Sequence, residues 1–137
     1  MCQLTYFYFF WTRFTKNSPK LRAWFTWIQA LGEVHVIVSN EATTLENVGQ
    51  FGKFSKTGDF FNVQTKSLDM HIRHTALASV FAVRKPSHTD GKEALSFQFF
   101  DQRGDAAFKV FLTFGGKDPA PERLSQYNEI IERFRVN

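Results

Sequence analysis

The sequence predicts an α+β fold, on three observations. Apolar residues recur at helical spacing near both ends of the chain. Between Gly32 and Phe114 the period falls to two, in runs rich in β-branched and aromatic residues. Turn residues break those runs at short intervals, as an antiparallel meander requires.

The elements follow in order. Leu4, Phe7, Tyr8, Trp11 and Phe14 stand at i, i+3, i+4, i+7 and i+10, which predicts a first helix. Asn17-Ser18-Pro19 stops it and starts a second, with Ser18 as N-cap and Pro19 at the first helical position. Leu21, Trp24, Phe25, Ile28 and Leu31 repeat the spacing, and Gly32 stands where a helix ends. Val34, Val36 and Val38 then alternate with Glu33, His35 and Ile37, which is a strand pattern. Further strand-like runs occupy residues 43–48, 51–55, 60–64, 68–73, 77–84, 94–101 and 106–114. Reversals are predicted at Asn40-Glu41, Gly49-Gln50, Thr57-Gly58-Asp59, Asp90-Gly91 and Arg103-Gly104-Asp105. Pro119-Ala120-Pro121 opens a last helix, with Leu124, Tyr127, Ile130, Ile131 and Phe134 on one stripe. The expected architecture is two N-terminal helices, one large antiparallel meandering sheet and a C-terminal helix. At 137 residues the chain is expected to be a single domain spanning residues 1–137.

Composition narrows the function. Phe occurs 17 times, beside three Trp and three Tyr, so aromatic rings form either a ring-rich core or a slot for something flat and apolar. The net charge of +4 suits an anionic ligand and is too small to argue for duplex nucleic acid. No RNP1-like pattern occurs, and cations alternate with acids along the chain, so a nucleic-acid-binding sheet has no support. The lone Cys2 excludes an internal disulfide and a multi-Cys zinc site, which points to a reducing compartment. The aromatic run ending at Trp11 stops at Thr12-Arg13, too short to span a membrane and without the flanks of a signal peptide.

Four histidines are present: His35, His71, His74 and His88. His71 and His74 form H-x-x-H, but on a strand an odd separation puts the two rings on opposite faces, so joint chelation is not expected. His71 shares its strand face with Asp69 and Arg73, while Leu68, Met70 and Ile72 take the other. A neutral imidazole is a good iron ligand and Arg meets carboxylates, yet a solvated strand face fits the same residues. Arg84-Lys85-Pro86 is either an anion clamp or a soluble strand end. Phe97, Phe99, Phe100, Phe108, Phe111 and Phe114 either line a slot or fill the core. No G-x-S-x-G, Walker A or G-x-G-x-x-G motif is present and no pair of carboxylates stands out, so a hydrolase has no support.

Several segments taken together are more specific. In order they are Leu31-Gly32-Glu33-Val34, Asp59-Phe60-Phe61-Asn62, Met70-His71-Ile72-Arg73, Val83-Arg84-Lys85-Pro86, Ser96-Phe97-Gln98-Phe99-Phe100-Asp101-Gln102-Arg103-Gly104-Asp105-Ala106 and Phe108-Lys109-Val110-Phe111-Leu112. This pattern resembles the cytoplasmic haem-utilisation family of bacteria, of the HemS/ChuX type, over about residues 31–112.

The resemblance implies a large antiparallel sheet flanked by helices, present as a tandem repeat in long members and as a homodimer in short ones. It implies haem (iron protoporphyrin IX) as ligand and a cytoplasmic location. It places the family's histidine on His71 as axial ligand, and the R-K-P segment on Arg84 and Lys85, whose chemistry suits the haem propionates. Arg73 is a further cation beside His71, and Phe99 and Phe111 are candidate walls of the apolar slot. Some short members carry a second histidine where this chain has Ser39. The expected function is haem storage or trafficking, with protein donors or acceptors of haem as further partners. A haem-degrading enzyme of the same family, and a member that has lost its ligand, are the alternatives.

Overall fold

Helix α1 (Pro19–Ala30) lies between strands β1 (Tyr8–Arg13) and β2 (Glu33–Ser39). Then come β3 (Thr44–Gln50), β4 (Phe54–Thr57), β5 (Phe60–Gln64) and β6 (Asp69–Arg73). A short 3-10 turn at His74–Ala76 leads into β7 (Leu77–Pro86), β8 (Glu93–Asp101), β9 (Ala106–Phe111) and α2 (Pro121–Val136). The structure is a computed structural model that describes residues 8–14, 19–86, 93–112 and 118–136.

The strands form two antiparallel sheets where one was expected. Six strands pair in the order β1-β7-β8-β9-β2-β3, and three in the order β4-β5-β6. Only local hairpins are written in the sequence. The pairing of β2 with β9, Val36 opposite Val110, closes the large sheet across most of the chain.

The first expected helix is instead a strand, β1, paired with β7 from Tyr8 opposite Arg84 to Arg13 opposite Ser79. Six consecutive aromatics satisfy both the helical and the strand period, so periodicity cannot decide there. Aromatic β-preference and the open side of β7 do. The reversal expected at Gly49-Gln50 is also absent, because β3 runs on to Gln50. A Cβ at Gly49 would stand 2.5 Å from Ser67 Oγ, so that exposed hydroxyl would have to turn away. The Asp90-Gly91 reversal, Ser18, His88, Phe114 and Cys2 lie outside the described residues.

Other punctuation acts as expected. Gly32 ends α1 with φ +78°, and Gly58 and Gly104 take positive φ in the turns after β4 and β8. Asn40 Oδ1 accepts from the amides of Ala42 and Thr43, which folds the β2–β3 hairpin.

Strand alternation sends Val34, Val36, Val80, Ala82, Leu95, Phe97, Phe99, Phe108 and Val110 to one face of the large sheet, all nearly inaccessible. Helix α1 lays Trp24, Phe25 and Ile28 on that face. The Trp24 ring centroid is 4.9 Å from that of Phe97 and 4.1 Å from that of Phe134 on α2. Phe25 reaches the small sheet, 5.2 Å from Phe61. Phe61, Val63 and Ile72 form the buried side of that sheet. The small sheet is therefore a cover over one part of the core, and its other side faces solvent.

Candidate functional site

The outward side of the small sheet is set by period-two alternation. Ser55 pairs with Asn62, and Asn62 with His71, so one residue from each strand stands in a row across it. Thr57, Phe60 and Gln64 flank the row, and together these side chains line an open trough of about 490 Å³. The β5–β6 turn that fixes this register is held by Thr65, whose amide donates to the Leu68 carbonyl at 2.8 Å. The Leu68 amide returns a bond to Thr65 Oγ1 at 3.0 Å.

The His71 side chain is 55% exposed, and its Nε2 lies 3.5 Å from Asp69 Oδ1. Its Nδ1 lies 2.7 Å from Asn62 Oδ1. Arg73 shares the face and lays its guanidinium over the Phe60 ring, 5.3 Å from the centroid. The trough thus combines an anchored imidazole and a flat apolar ring, with a cation laid over that ring.

His74 points the other way. It is buried beside Phe61, and its Nε2 is 3.2 Å from the Gly58 carbonyl, to which Nε2–H donates. H-x-x-H therefore divides into one presented ring and one structural ring. Among the described residues no group of three or more His, Cys, Asp or Glu side chains is arranged to hold a metal ion.

The other expected site residues do not join this trough. Phe99 is fully buried and stacks on Phe108 with centroids 4.5 Å apart, so it belongs to the core. Phe111 is on the opposite face of the large sheet, its ring 6.3 Å from that of His35. Arg84 and Lys85 lie toward the far end of β7, and Arg84 Nε is paired with Glu93 Oε1. Ser39 Oγ is 3.0 Å from Thr44 Oγ1 at the tip of the β2–β3 hairpin.

Sequence reasoning did not single out Asn62 as a site residue. The signal was available: a turn at residues 65–68 places positions 62 and 71 opposite each other.

Comparison with known proteins shows the family. The family model described as haem utilisation ChuX/HutX matches residues 15–130. The hemin transport protein HemS of Yersinia enterocolitica is 30% identical over 104 residues, which are 75% of this chain and 30% of HemS. The chain thus spans less than a third of that relative. The crystal structure of ChuX superposes with a TM-score of 0.83 at 17% identity, over 94% of this chain and 78% of ChuX. The haem-degrading enzyme ChuS of Escherichia coli O157:H7 superposes with a TM-score of 0.70 at 27% identity, over 90% of this chain and 34% of ChuS. With the family model covering most of its length, this chain belongs to the haem utilisation ChuX/HutX family.

Proposed function

We propose that this chain binds haem in the cytoplasm, with His71 as axial ligand, and stores or carries it between donor and acceptor proteins. The observation that carries the reading is the exposed imidazole of His71, anchored at one nitrogen in an open trough. Haem is a flat apolar disc with an iron that takes an imidazole and two carboxylates at one edge. The donor set fits it: His71 offers the nitrogen, Phe60 a flat apolar surface, and Arg73 a cation for a carboxylate. Bound haem supplies an iron centre with an imidazole-accepting position. This chain's residues hold and orient the ring that meets it. ChuX is a haem-binding protein of the same fold, and HemS a hemin transport protein.

The reading narrows the contact residues to His71 and Arg73. Arg84, Lys85, Phe99 and Phe111 serve the large sheet and its two faces.

Storage or transport is the reading taken because the family includes a haem-binding protein, ChuX, and a hemin transport protein, HemS. ChuS keeps the degrading alternative in view. Hemin titration of the purified protein should give a saturable Soret shift near one haem per chain. His71→Ala should weaken it by about 100-fold, on the order of 3 kcal/mol. A shift unchanged in His71→Ala removes the ligand assignment, and a featureless titration removes the function. Catalytic loss of the Soret band on adding reductant would favour the enzyme.

The proposed working form is a homodimer through the outer face of the large sheet. Phe81 and Phe100 meet edge to face there at 5.2 Å. With Ser79, Val83 and Gln98 they line a trough of about 370 Å³. HemS and ChuS, of which this chain covers about a third, have length for more than one such unit. Sedimentation should give twice the 15.9 kDa chain mass, and Phe100→Glu should return the monomer. A wild-type monomer at high concentration would refute the dimer.

A further inference from the structure

We propose that Asn62 is a positioning residue that fixes the tautomer of His71, holding the proton on Nδ1 and leaving the Nε2 lone pair for a ligand's metal. This rests on the haem reading above. The contacts run across the three strands in register. Asn62 Nδ2 donates to Thr57 Oγ1 at 3.1 Å and stands 3.4 Å from Ser55 Oγ. Those contacts turn the amide so that Oδ1 faces His71 Nδ1 at 2.7 Å. An amide oxygen has no proton to give, so the proton in that bond belongs to Nδ1. The neutral ring then has a bare Nε2, which is the form that binds a metal.

One group opposes this. Asp69 Oδ1 faces Nε2 at 3.5 Å and would favour a proton there. That separation exceeds the usual hydrogen-bond range of about 2.7–3.2 Å, whereas the Asn62 contact lies within it. Asn62 is half-buried, and Asp69 is exposed, so the amide is the better fixed of the two. Arg73, also exposed on β6, lies over Phe60. The row Thr57–Asn62–His71 thus has a single polarity: His71 Nδ1–H donates to the Asn62 amide oxygen, and the Asn62 amide nitrogen donates to Thr57 Oγ1.

The test uses the full chain, first without haem. Nitrogen NMR of the His71 ring at about pH 8.5, where an ordinary His is neutral, reads the tautomer directly. Wild type should carry its proton on Nδ1, and Asn62→Asp, which keeps the acceptor, should do the same. Asn62→Leu should move the population toward Nε2–H and weaken hemin binding by about 10–100-fold, as loss of a ligand's outer partner does. A wild-type ring protonated on Nε2 overturns the proposal, as does an Asn62→Leu protein with unchanged tautomer and affinity. If the Leu variant fails to fold, the wild-type and Asn62→Asp spectra still decide the tautomer. Loss of hemin binding in His71→Ala but not in Asn62→Leu overturns this inference alone. No loss in His71→Ala overturns the haem reading beneath it.

Discussion

The two sheets use one alternation rule to opposite ends. On the large sheet the inward positions carry Phe97, Phe99 and Phe108, locked between α1 and the strands. On the small sheet the inward positions are apolar as well, but the outward ones hold Ser55, Asn62 and His71. The first arrangement builds rigidity from interlocked rings. The second leaves polar side chains standing on a thin layer whose apolar underside is already satisfied. Fold and candidate chemistry are thereby separated, and substitutions in the two regions should have different signatures.

The largest expected effect is in the ring cluster. Phe99 is fully buried, stacks on Phe108, and packs near Trp24 and Phe25. Phe99→Ala should lower stability by about 3–5 kcal/mol in chemical denaturation. A loss below about 1 kcal/mol would mean the rings are replaceable filler and the contrast between the sheets is false.

A smaller effect, with a pH signature, concerns Tyr127 on α2. Its ring stacks on Phe97 at 5.0 Å, and its hydroxyl donates to the Ser96 carbonyl at 3.4 Å. Burial pushes its phenol well above the ordinary tyrosine range; Arg84 opposes that shift and Glu93 adds to it. The folded chain thus holds this proton more tightly than the unfolded chain. The contribution is whole below about pH 10, the unfolded value, and is lost as pH rises toward the folded one. Stability should fall above pH 10 by at most about 1.4 kcal/mol per pH unit from this group. Tyr127→Phe should remove that part of the fall and cost about 1 kcal/mol or less at neutral pH. An unchanged alkaline limb in the variant would show that another group causes it.

The smallest effect on stability is expected where the effect on binding is largest. His71 is exposed, so His71→Ala should change unfolding free energy by no more than about 0.5 kcal/mol. A cost above about 2 kcal/mol would make His71 a structural residue like His74 and erase the division of labour.

Much of this was legible in the sequence. The stripes Leu21–Trp24–Phe25–Ile28 and Leu124–Tyr127–Ile130 announce α1 and α2, because one apolar face at helical spacing has one good burial solution. Strands β4 to β9 follow from period two and turn residues such as Gly58 and Gly104. β1 was hidden because an all-aromatic run carries no phase. The split into two sheets was hidden because β2 finds β9 only in three dimensions. The outward place of His71 was legible from the alternation of its strand. The destination of the aromatic surplus was not: composition counts rings, and only packing tells interior from surface. Asn62 lay between, recoverable once the turn at Thr65 fixes the register.

β6 is an edge strand of the small sheet, with β5 as its ladder neighbour. Strands paired on one side fray at far lower free energy than strands locked within a sheet. The imidazole therefore hangs from a hem rather than a seam: unstitching β6 loosens it while the ring-packed interior stays intact.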